Sequence, residues 1–274
     1  MHRAKRVPAI SGWVWVKHGI AQFRQEPVLW LALAFVYLSL AILLSQIPFV
    51  GWLILVLFTP LLMLGALQVA HAQVDPGLPA NTLPVPPAQR EFRLWTQYLR
   101  DLLTRAARRL LNGFKDEDKL LPIMVISTLL LGGVIVINIL AQLLKVGGAA
   151  LPAMLAGSVG PTVWVTALIG LVVVLSLEAL LLMAFLYTVP LILFRREHPL
   201  PSIELSFAAA LNNLWAFAIF VSVFAVIAEA MRIQFLLFIF PFDYLVFFLV
   251  GLVVLPVFIN GLNASYQDLF TRAR

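Results

Sequence analysis

The sequence predicts an all-α polytopic integral membrane protein, with six transmembrane helices set as three hairpins and cytoplasmic amphipathic helices lying at the interface. Three observations carry this. Hydrophobic residues make up 62% of the 274 residues and charged residues only 12%, whereas about a quarter of a soluble domain is charged. Mean hydropathy is +0.99, which excludes both a water-soluble globule and a disordered chain. Six apolar runs, at 28–46, 51–70, 121–144, 163–194, 214–231 and 244–263, approach the ~20 residues that cross ~30 Å of hydrocarbon. The chain has no cysteine, so disulfides, thiolate metal sites and cysteine nucleophiles are excluded together.

Taken in order, residues 1–27 form a basic cytoplasmic segment. Lys17 and His18 interrupt its apolar patch, so it lacks the continuous core of a cleavable signal peptide and the first span is expected as an uncleaved anchor. Hairpin one occupies 28–70. Residues 71–120 are a cytoplasmic linker and amphipathic helix. Pro76, Pro79, Pro84, Pro86 and Pro87 make the linker extended. Beyond it, Phe92, Trp95, Leu99, Leu102, Ala106 and Leu110 recur at three- and four-residue steps, the apolar stripe of a helix.

Hairpin two occupies 121–194, and its second run is too long for a straight crossing, so it must tilt or run on past the membrane. A connector at 195–213 leads to hairpin three at 214–265 and a tail at 266–274. Together the segments make a single membrane domain. Ile233 to Phe242 is apolar and too short to span; it either lies along the outer interface or prolongs the fifth span to Phe240.

Charge sets the expected threading. Seventeen of the nineteen Lys and Arg residues fall in the N-terminal segment, 71–120, 195–213 and the tail; only Lys145 and Arg232 fall on the other side. The positive-inside rule then places both termini in the cytoplasm.

The hairpins also resemble one another. Pro27-Val28-Leu29-Trp30 opens the first as Asn212-Asn213-Leu214-Trp215 opens the third. Pro60 and Gly65 stand in the second span as Pro256 and Gly261 do in the sixth, and Pro190 takes the comparable place in the fourth. An internal repeat of this kind can frame a central site.

The stretch from Gly19 to Trp30, the motif Ile47-Pro48-Phe49-Val50-Gly51 and the run Thr59-Pro60-Leu61-Leu62-Met63-Leu64-Gly65 resemble a family of uncharacterised polytopic proteobacterial inner-membrane proteins. They are more distantly similar to the YciC-type proteins and to the membrane domain fused to some glycerophosphodiesterases. The resemblance is clearest over 13–70. It implies fold and a bacterial inner-membrane location, and carries over no activity and no catalytic residue.

Three sets of residues are candidates for function. Arg93, Arg100, Arg105, Arg108 and Arg109 flank the amphipathic stripe and suit anionic lipid headgroups, at about 1 kcal/mol per basic residue near such a surface. Nucleic acid is not the expected partner, because Trp95 and Leu102 would then face water. Glu178 lies at mid-depth of the fourth run, where a bare carboxylate costs several kcal/mol. Counting residues from each interface puts Tyr37, Ser39, Thr59 and Ser222 at similar depth; Glu178 is expected to serve with Tyr37 and Ser222 as a proton or substrate site, or as a neutral hydrogen-bonding link between helices. Glu229 and Arg232 stand three apart and can pair as a structural salt bridge.

The histidines lack metal-ligand spacing, and Ser158 sits in Ala156-Gly157-Ser158-Val159-Gly160, which misses the nucleophile-elbow pattern. No catalytic residue, metal or cofactor is expected. Two functions follow. One is a non-catalytic accessory, assembly or lipid-organising protein of the inner membrane, with lipids, a larger membrane complex or a second copy as partner. The other is a small transporter or lipid-handling protein with a central site near Glu178.

Overall fold

In a computed structural model the described residues are 4–48, 50–74, 84, 86, 92–115, 117–144, 160–237 and 243–271. All regular structure among them is helical. The α-helices are α1 (Ser11–Gln25), α2 (Pro27–Ser45), α3 (Val50–Val74), α4 (Phe92–Leu110), α5 (Glu117–Leu143), α6 (Pro161–Phe185), α7 (Thr188–Arg195), α8 (Pro199–Asn212), α9 (Leu214–Leu237) and α10 (Asp243–Phe270). A 3-10 turn, Leu111–Phe114, follows α4. Five helical stretches are long and apolar enough to cross a membrane, and the bent pair α8–α9 makes a sixth when taken as one span.

The apolar runs of the sequence thus become helices, with two changes of boundary. The long fourth run breaks at Leu186 and Tyr187 into α6 and α7, and α7 is buried from Thr188 to Leu193. The fifth run, α9, continues past Met231 to Leu237, so Ile233 begins no separate interfacial segment. The proline-rich linker falls, apart from Pro84 and Pro86, outside the described residues, as do Ser158 and Phe238 to Phe242.

Each hairpin is preceded by a lead-in helix: α1, α4 and α8. Two of these meet their hairpin at a single non-helical residue with nearly the same backbone. Glu26, between α1 and α2, has φ −134° and ψ 61°; Asn213, between α8 and α9, has φ −124° and ψ 37°. The turn at Asn213 is 97°. Its side chain holds the N-terminal segment there, accepting from the Val7 amide at 2.8 Å and donating to the Lys5 carbonyl at 3.0 Å.

The lead-in helices dock on the returning limbs of the hairpins. A side chain at Gly65 of α3 would collide with the backbone of Arg109 and Leu110, so α4 ends directly on that glycine. Gly19 of α1 faces the backbone of Val257 and Gly261 of α10 in the same way. Ser206 of α8 donates to the Met183 carbonyl at 2.8 Å and accepts from the Tyr187 amide at 3.1 Å, seating α8 where α6 gives way to α7. Small residues permit such backbone approach, which packing inside a membrane favours. The Pro–Gly pairs of the sequence therefore mark docking seats, and α1 closes the series by reaching from the first hairpin to the last.

The bundle is not evenly enclosed. Nearly half of the most apolar length of α3 is buried, whereas most of that of the α6–α7 stretch is exposed. Leu168, Ile169, Val172, Leu175, Leu180 and Leu182 of α6 are exposed, an apolar face suited to lipid rather than water.

Candidate functional site

A partly open cavity of about 100 Å³ lies between α2, α3 and α10, with Leu110 at the end of α4 in its wall. Small or unbranched side chains make the room: Ala34 of α2, Ala66 and Met63 of α3, and Pro256 of α10. The lining contains no charged side chain, and its polar groups are few. Thr59 donates to the Leu55 carbonyl at 2.7 Å, which spends its only hydroxyl hydrogen. The Tyr37 hydroxyl, 3.2 Å from the Thr59 oxygen, is therefore the donor of that bond. With both hydrogens used, the pair offers the cavity acceptor lone pairs only. Such a wall suits an apolar chain and gives an anion or a cation no full charge to meet.

Where α1, α2, α3 and α4 converge, a polar cluster adjoins the cavity. Trp30 lines the cavity and is 1% exposed, and its indole nitrogen donates to the Gln73 side chain at 3.2 Å. One turn earlier stands Glu26, and beside Leu110 stands Arg109, which is half-buried. Burial pulls the Arg109 guanidinium below its ordinary range, the Glu26 charge opposes that, and Arg105 adds to it. Buried atoms of Gln22, Glu26, Gln73 and Arg109 have no hydrogen-bond partner among the described residues, a costly condition that is rare in folded chains.

A second polar set follows α10. Pro256, Asn260, Asn263 and Gln267 recur at four-, three- and four-residue steps, so they share one face. Asn260 and Asn263 are fully buried. Asn260 donates to the Pro256 carbonyl at 3.0 Å, while its oxygen and both polar atoms of the Asn263 side chain lack partners among the described residues. The stripe ends where the Gln267 amide lies 3.4 Å from the His71 ring of α3.

Of the mid-depth residues singled out in the sequence, the structure brings together Tyr37 and Thr59 but not Glu178 or Ser222. Glu178 is exposed on α6, on the same side as Leu175 and Leu182, and takes no part in the cavity lining. Ser222 is exposed on α9 and donates to the Ile219 carbonyl at 3.0 Å. Glu229 and Arg232 belong to α9, but their side chains fall outside the described residues.

The arginines of α4 divide. Arg93, Arg100, Arg105 and Arg108 are exposed, and Arg109 alone turns inward. The apolar stripe divides too: Leu102, Ala106 and Leu110 are buried, while Trp95 and Leu99 stay uncovered.

Sequence reading missed Glu26, Gln73, Asn260 and Asn263. The one signal that pointed to any of them was the match between the starts of hairpins one and three, which placed Glu26 beside a junction. No protein-family model matches the chain, and neither a curated protein nor a solved structure matches it.

Proposed function

We propose that the protein is a non-catalytic, lipid-organising protein of a bacterial inner membrane, with both termini cytoplasmic, that holds an acyl chain in the α2–α3–α10 cavity. The observation that carries this reading is the cavity wall: uncharged, mostly apolar, with its two hydroxyl hydrogens already bonded. An acyl chain already sits in hydrocarbon before it binds, so burial from water contributes little and shape must supply the preference. The exposed arginines of α4 support the same reading by offering charges to anionic headgroups at the surface. A larger membrane complex or a second copy would meet the exposed face of α6.

The test is lipid retention. Protein extracted in mild detergent and weighed intact should carry bound phospholipid. Ala66→Phe, which fills the cavity from one wall, should release it while the protein stays folded. Equal retention by the parent and Ala66→Phe would remove the cavity from the account.

A further inference from the structure

We propose that Glu26 and Arg109 form a headgroup site for a phospholipid that carries a primary ammonium, the phosphoethanolamine class. The phosphate would lie on Arg109 and the ammonium on Glu26, with one acyl chain of the same molecule in the adjoining cavity. This rests on the acyl-chain reading above and adds the headgroup that selects the lipid.

Position comes first. Arg109 is the neighbour of Leu110, a cavity-wall residue. Glu26 stands one turn before Trp30, another wall residue, whose amide donates to the Glu26 carbonyl at 3.2 Å. The two charges therefore stand at the end of the cavity where α4 meets α2. They are near enough for Glu26 to act on Arg109 electrostatically.

Charge comes second. One cation from α4 and one anion from the α1–α2 junction are the complement of a zwitterion. Each retains a buried polar atom without a partner: one guanidinium nitrogen on Arg109 and one carboxylate oxygen on Glu26. Neither residue is fully buried, so each side chain can swing to a headgroup at the surface. A purely anionic headgroup would satisfy Arg109 and meet repulsion from Glu26. A choline headgroup has charge but no N–H to donate. A primary ammonium supplies up to three donors, and Gln22 adds an unpartnered acceptor one turn before Glu26, as Gln73 adds an unpartnered donor. Charge-assisted bonds of this kind are the strong ones.

The experiment uses the full-length protein in bilayers of phosphatidylglycerol mixed with phosphatidylethanolamine, its mono- and dimethyl forms, or phosphatidylcholine. Lipid retained after mild detergent extraction is identified by intact-mass measurement. Retention should favour phosphatidylethanolamine over phosphatidylcholine by about tenfold, the equivalent of losing one charge-assisted hydrogen bond, with the methylated forms between them. Glu26→Gln should keep lipid and lose the discrimination; Arg109→Gln should lower retention of both lipids.

Equal retention of the two lipids by the parent protein would overturn the headgroup site and leave the cavity reading standing. So would an ethanolamine preference that survives Glu26→Gln. Absence of any retained phospholipid would overturn both. The methylation series uses the unaltered protein, so it decides the matter even where a variant fails to fold.

Discussion

Tyr37 and Thr59, one on each limb of the first hairpin, meet hydroxyl to hydroxyl at 3.2 Å, and that bond closes the polar account of the cavity. Tyr37→Phe keeps the ring and deletes the bond. Hydrogen bonds between membrane helices average about 0.6 kcal/mol, so unfolding in detergent should show a loss of that size. Lipid retention should not fall, because an apolar wall has become slightly more apolar. A Tyr37→Phe protein that folds normally and releases its lipid would assign the hydroxyl a ligand contact.

The docking seat at Gly65 gives a second prediction. A Cβ there would stand 2.8 Å from the Leu110 Cα, inside contact distance and against backbone that cannot rotate away. Gly65→Ala should cost about 1–3 kcal/mol, and amides at the end of α4 should exchange hydrogen faster. Gly132 of α5 faces open space, so Gly132→Ala should instead be neutral or stabilise by about 0.5–1 kcal/mol through helix propensity. Equal behaviour of the two variants in unfolding measurements would show that α4 does not rest on Gly65.

Much of this arrangement could be read in the sequence, and the part that could not has a physical cause. Hydropathy located the spanning helices because a bilayer demands length and apolarity of every crossing. The Pro–Gly pairs were visible, although their meaning as docking seats needed the neighbouring helix. Counting residues from each interface set Tyr37, Thr59, Glu178 and Ser222 at one height, and the structure brings the first two into contact. Depth is one coordinate of a helix residue and azimuth is the other. In a helix apolar all round, with no hydrophobic stripe to orient it, azimuth has no sequence signal. Glu178 therefore looked central and lies on the outer face of α6. Arg109 differs from its four neighbours for a related reason: only tertiary contact with α2 and α3 turns it inward.

Glu178 supplies a third prediction. Because it takes no part in the cavity lining, Glu178→Gln should leave lipid retention unchanged. Its stability should shift by no more than about 1 kcal/mol, the range of single polar contacts between membrane helices. A folded Glu178→Gln protein that loses its lipid would return the functional centre to α6.

Threading gives a fourth. The bias of seventeen basic residues against two predicts that both termini and the 73–89 linker face the cytoplasm. A reporter active only there should work when fused after Arg274 or within 73–89, and should fail within 147–160. The reverse pattern at any of these sites would invert or break the six-span arrangement, and with it the assignment of α4 to the cytoplasmic surface.

The central claim is that an acyl chain occupies the cavity between α2, α3 and α10, and photo-crosslinking tests it most directly. A phospholipid with a light-activated diazirine along one chain is added to bilayers containing the protein, and the labelled residues are mapped by mass spectrometry. The account predicts labels concentrated on Tyr37, Met63 and Phe258 of the cavity wall, and their loss in Ala66→Phe. Labels confined to the outer face of α6, at Leu168, Val172 and Leu175, with none on the wall, would contradict it.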